Sequence, residues 1–141
     1  MHPRLLLLAL FLAVAQCLAY SPAFAAMPSD AQLRTMLAGR WSEDRDLGCE
    51  KHQQVIDIRA DGTFKVSGTI RYCDASPVNF VWDGKWRIRN ARFLYVTTNS
   101  SPKDMFPLGE ELSDQIISVT EREWVMREGS TGNESRAFKI K

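Results

Sequence analysis

Beyond residue 50 the chain alternates between apolar and polar positions with a period of two. In "QQVIDIRA", Gln54, Ile56 and Ile58 share one face. In "TFKVSGTIRYC", Phe64, Val66, Ile70 and Tyr72 lie opposite Lys65, Ser67, Thr69 and Arg71. In "VNFVWDGKWRIR", Phe80, Trp82, Trp86 and Ile88 lie opposite Val81, Asp83, Lys85 and Arg87. Such alternation predicts strands with one buried face. "RFLYVTT", "DQIISVT", "EWVMRE" and "SRAFKIK" continue it. Turn signals separate the runs at Asp61-Gly62, Asp74–Pro77, Arg89-Asn90-Ala91, Glu121-Arg122 and "GSTGN". One stretch before the strands has helical spacing instead. Pro28, Ser29 and Asp30 are helix-start residues, Leu33, Met36 and Leu37 form a stripe, and Gly39 can stop the helix.

Counting a short strand at Trp41, the pattern predicts about eight strands joined mainly by tight turns. The long connection is 99–111. An open sheet of that size would leave two bare edges and an apolar face that one short helix cannot cover. Closing the sheet on itself solves both problems. The expected fold is all-β: a single antiparallel up-and-down barrel with a short N-terminal helix. A two-sheet sandwich needs longer crossovers than most of these turns provide.

Residues 1–25 read as a secretory signal peptide. A basic start precedes the apolar run "LLLLALFLAVA", and Ala23-Phe24-Ala25 supplies a cleavage signal. The expected mature domain is 26–141, periplasmic or secreted, and Cys17 leaves with the signal. The chain then keeps 17 basic and 17 acidic side chains. Without a basic excess, nucleic acid is not an expected partner. No later run reaches transmembrane length, so an integral membrane protein is not expected either.

Two cysteines remain in the mature domain, Cys49 and Cys73, and an even count in an exported chain points to a disulfide. If Asp61-Gly62 is a two-residue turn, Glu50 faces Cys73 and the cysteines fall one position out of register. A bulge or a fraying end would then let them bond. Their spacing suits neither a zinc site nor a redox motif, and no metal or cofactor is expected.

The short helix, Gly39-Arg40-Trp41 and the strand count together resemble the lipocalin-like (calycin) proteins, in particular the small bacterial domains of that kind. The T-D-Y-type motif and C-terminal helix of longer lipocalins are missing. The resemblance implies that Trp41 closes one end of the barrel beneath a late arginine or lysine. Arg136 is the expected partner, because it shares parity with Phe138 and Ile140; Arg127 is the weaker choice.

Two features bear on chemistry. The barrel face carries Tyr72, Phe80, Trp82, Trp86, Tyr95, Trp124 and Met126. These side chains either line an apolar pocket or simply fill a small barrel. Gly84, between two tryptophans, marks a bend, a bulge or room for a ligand. In the long loop, Met105, Phe106 and Leu108 form either a lid or a contact surface for a partner protein. His52, with Ser42 or Ser67, lacks any nucleophile motif and is expected to be solvated, as are Glu110, Glu111 and Asp114. The expected function is therefore non-catalytic: an exported barrel that binds a small apolar or amphipathic ligand. The alternative is a protein-binding module, of inhibitor or immunity type, acting on another exported protein through 99–111.

Overall fold

The computed structural model describes residues 26–141; the expected signal peptide lies outside the described residues. A helix, α1 (Asp30–Leu37), precedes eight strands: β1 (Gly39–Asp46), β2 (Glu50–Ile58), β3 (Thr63–Tyr72), β4 (Val78–Arg89), β5 (Arg92–Ser101), β6 (Glu111–Val119), β7 (Glu123–Arg127) and β8 (Glu134–Ile140). Each strand pairs antiparallel with the next, and β1 also pairs with β8 from Arg40↔Ile140 to Ser42↔Phe138. The sheet is thus a closed up-and-down barrel, as expected.

The helix seals one end. Ser29 caps it with a reciprocal pair: its hydroxyl accepts from the Gln32 N–H, and the Gln32 side chain accepts from the Ser29 N–H. Leu33 and Leu37 are fully buried against the barrel. The Asp30 carboxylate accepts the backbone N–H groups of Asn90 and Ala91, at 2.8 and 2.9 Å. Those two residues form a tight β4–β5 turn, both with positive φ. One acidic side chain therefore pins the helix to the barrel floor.

The core runs upward from that floor. Trp41 is fully buried, and its indole N–H donates to the Leu37 carbonyl at 2.8 Å. Trp124 meets it edge-on, Phe93 meets Trp124, and Trp86 stacks on Phe93. The Trp86 indole N–H donates to the Arg59 carbonyl.

Two expectations about register are corrected. Ile58 lies opposite Phe64, and the Arg59 N–H donates to the Thr63 carbonyl, so the hairpin closes over the three-residue loop Ala60-Asp61-Gly62. The Asp61 carboxylate accepts both the N–H and the hydroxyl of Thr63, which favours the longer turn. The extra turn residue moves the pairing by one, so Glu50 faces Tyr72 and Cys49 comes directly opposite Cys73. The two are disulfide-bonded at the open end, with Cα atoms 4.9 Å apart and the Cys73 N–H donating to the Cys49 carbonyl.

The second correction concerns β8. Its buried positions are Ser135 and Ala137, while Arg136 and Phe138 face outward and Phe138 is 53% exposed. Arg136 is ion-paired with Glu123 on the outer surface, not stacked on Trp41. The cation over Trp41 is Lys139, whose Nζ lies 4.8 Å from the ring centre. Gly39 makes room for it: a Cβ there would come within 2.7 Å of the lysine stem, and its φ of +134° disfavours any other residue.

Candidate functional site

The upper half of the barrel contains a cavity of about 190 Å³. Its composition is graded along the strands. Deep in the barrel the walls are apolar: Ile56, Ile58, Phe64, Val66, Phe93 and Trp124. Toward the open end the lining becomes polar: Glu43 and Arg45 from β1, His52 and Gln54 from β2, Asp114 from β6, and Glu128 just beyond β7. Strand parity explains the gradient. Trp41, Glu43 and Arg45 point inward from β1 in sequence, as Ile58, Ile56, Gln54 and His52 do from β2.

The mouth is a connected polar network. The Glu43 carboxylate, 2% exposed, accepts from Arg45 Nε and from Gln54 Nε2, both at 2.7 Å. Arg45 also pairs with Glu128, so one guanidinium serves two carboxylates. The His52 Nε2 is hydrogen-bonded to Glu50. Asp114 is buried and accepts the Gly129 N–H at 3.0 Å. Burial lifts its pKa above the ordinary carboxylate value, although that N–H and the Tyr95 hydroxyl favour the ionised form. Burial, with Asp114 alongside, also raises the Tyr95 pKa, so the phenol is a neutral donor. Within the wall, Thr97 Oγ1 and the indole nitrogens of Trp82 and Trp124 are buried without a protein partner.

The loop between β5 and β6 folds over this mouth. It is shorter than the expected 99–111, because β5 continues to Ser101 and β6 begins at Glu111. Phe106 stacks on Trp82 at 4.4 Å between ring centres and touches Phe80 at 5.8 Å. Met105 also packs on the core, whereas Leu108 is 47% exposed. Phe106 and Pro107 belong to the cavity wall.

Of the seven aromatic and sulfur-bearing positions expected to line a pocket, Trp82, Tyr95, Trp124 and Met126 do so. Phe80 is buried behind Phe106. Trp86 is part of the floor below the cavity, held by Phe93 and the Arg59 carbonyl. Tyr72 is exposed at the end of β3, where the strand has outrun the barrel interior. Gly84 does not open space for a ligand. It sits beside a bulge, and a Cβ there would lie 1.9 Å from the Val96 carbonyl oxygen. His52 and Asp114, expected in solvent, belong to the wall instead. Glu110 is exposed, and Glu111 pairs with Arg87 on the outer surface. Glu43, Arg45 and Gln54 were not expected as site residues, yet extending the parity of Trp41 and Ile56 along their strands leads to them. Among the described residues, no group of three His, Cys, Asp or Glu side chains is arranged to hold a metal ion.

A closed eight-stranded meander with a helix across its floor and a tryptophan stoppered by a late cation is a lipocalin-like fold. A lipocalin-like protein from Bacteroides uniformis ATCC 8492 has a similar structure, with a TM-score of 0.50. The match covers 74% of this chain and 99% of that one at 14% identity, a likeness of fold alone. No protein-family model matches the sequence, and no curated protein matches it.

Proposed function

We propose that this protein is an exported, non-catalytic barrel that binds a small apolar or amphipathic molecule in the cavity beneath Phe106. The observation that carries this reading is the gradient from an apolar base to a hydrogen-bonding mouth. A ligand's apolar part would bury against Ile56, Val66, Trp82 and Trp124, contributing roughly 25 cal/mol per Å² of apolar surface removed from water. Its polar end would meet the network around Glu43 and Asp114. Swinging Phe106 off Trp82 would admit it.

Residues 1–25 would be the signal peptide, removed after Ala25. Export fits the Cys49–Cys73 disulfide, since such bonds persist in oxidising compartments. No helix among the described residues is long and apolar enough to cross a membrane. The partner-protein role through 99–111 has weaker support, because Met105 and Phe106 are used on the core.

Tryptophan fluorescence tests the reading, because Trp82 and Trp124 line the cavity. Titration with phenethyl alcohol should give a saturable change that Val66→Phe, which fills the cavity, abolishes. A linear, non-saturating response in the native protein would overturn the proposal.

A further inference from the structure

Taking the barrel-binding reading as its basis, we infer that the ligand is a small organic cation: an amine carrying one aromatic ring or an equivalent short apolar group. Three properties of the cavity lead there.

The first is charge. Glu43, Asp114 and Glu128 all line the cavity, and Arg45 is the guanidinium among the lining residues. That guanidinium is already bonded to both Glu43 and Glu128. Gln54 and the Gly129 N–H add neutral donors to Glu43 and Asp114, but no positive charge. His52 is held by Glu50, a further carboxylate. Arg92 is a further guanidinium near Asp114, outside the cavity lining. Among the lining side chains, carboxylates outnumber guanidiniums in a partly dewatered space, where like charge is repelled strongly and opposite charge is welcomed. A carboxylate-headed lipid would be repelled by the surplus carboxylates. An ammonium group would offset that surplus.

The second is size. A dry cavity of about 150 Å³ accommodates a benzene-sized molecule. The 190 Å³ here suits one ring with a short side arm, not a long acyl chain.

The third is the wall. Phe64, Trp82, Phe93, Tyr95, Phe106 and Trp124 surround the space with aromatic faces, which both bury a ring and attract a cation. The Thr97 hydroxyl, 2% exposed and without a protein partner, is an additional acceptor in that wall. The ring would sit low, between Val66 and Trp124, with the ammonium beside Glu43 and Asp114.

Three probes of matched size separate the possibilities: phenethylamine, phenethyl alcohol and phenylpropionate, titrated calorimetrically into the full mature domain at neutral pH. The expected order is amine, then alcohol, then carboxylate, with the amine at least about tenfold tighter than the alcohol, the preference one close charge pair supplies. Asp114→Asn and Glu128→Gln should each weaken the amine several-fold more than they weaken the alcohol, so that the amine's advantage shrinks. Both are near-isosteric, so retained near-ultraviolet circular dichroism shows that the fold survives. If the alcohol binds as well as the amine, or the carboxylate binds best, the cation inference is wrong while the binding barrel stands. If none of the three binds, both fall.

Discussion

Lys139 closes the barrel over Trp41: its Nζ lies 4.8 Å from the indole centre and donates to the carbonyls of Met36, at 3.2 Å, and Ala38, at 2.9 Å. One side chain from the last strand thus covers the buried tryptophan of the first and satisfies orphan carbonyls at the end of α1. Lys139→Met keeps the stem and removes the charge and its donors. It should cost about 1–2 kcal/mol in urea denaturation. Arg136→Ala removes a surface ion pair and should change stability by less than about 0.5 kcal/mol. A larger effect at Arg136 than at Lys139 would contradict this assignment.

The disulfide ties the open end of the β2–β3 hairpin across a sequence separation of 24. Cys49→Ala/Cys73→Ala should lose about 3–4 kcal/mol, on the view that the bond acts by restricting the unfolded chain. Because β1–β8 pairing closes the barrel elsewhere, the far-ultraviolet circular dichroism of the double variant should remain native. Collapse of that spectrum in the absence of denaturant would show that the bond holds the fold itself.

Gly84 lies where the backbone of β5 presses closest. Gly84→Ala would drive a methyl group into the Val96 carbonyl, and a shift of the strand costs about 1–3 kcal/mol or more. Thermal unfolding should fall by several degrees, with amide shifts in Val96 and Thr97 as the local signature. An unchanged melting temperature would mean that β4 and β5 have slack at the bulge.

Asp114 gives a pH dependence of defined sign. Its pKa is raised in the folded protein relative to the ordinary 3.8, so the folded state binds its proton more tightly than the unfolded state does. Its contribution is full below the ordinary carboxylate value and is lost as pH rises through the folded value. Asp114→Asn cannot titrate. The stability of native protein relative to this variant should therefore decline from acid toward neutral pH. A relative stability that instead climbs with pH would indicate a lowered pKa. Asp46 and Asp61, both lowered by hydrogen bonds, work in the opposite direction in the native chain and are common to both proteins.

The strands were legible because half-buried sheet has a period that the side chains must follow. The tight turns fixed the meander order, and the bare edges and uncovered apolar face of an open sheet pointed to closure. What failed were places where one residue changes the phase. Thr63 extends the hairpin at Asp61 and so shifts the cysteines into direct opposition. In β8, Phe138 and Ile140 make the outward face look like the inward one, whereas the buried side is Ser135 and Ala137 with Lys139 at its end. The polar mouth was missed for a different reason. Charged residues such as Glu43, Arg45 and Asp114 belong outside by default. Their burial depends on mutual hydrogen bonds across strands, and single-strand patterning does not contain that information. The parity of Glu43 with Trp41, and of His52 with Ile56, was the available signal.

The barrel interior, not its outer surface, is where a small molecule should bind. Two-dimensional NMR of the mature domain, titrated with phenethylamine, measures this most directly. Binding inside the barrel should give saturable shifts of the Trp82 and Trp124 indole N–H signals and of the Ile56 and Val66 methyl groups, with Leu47 and Phe138 unmoved. Shifts that grow linearly, or that gather on the outer surface while those four probes stay still, would contradict it.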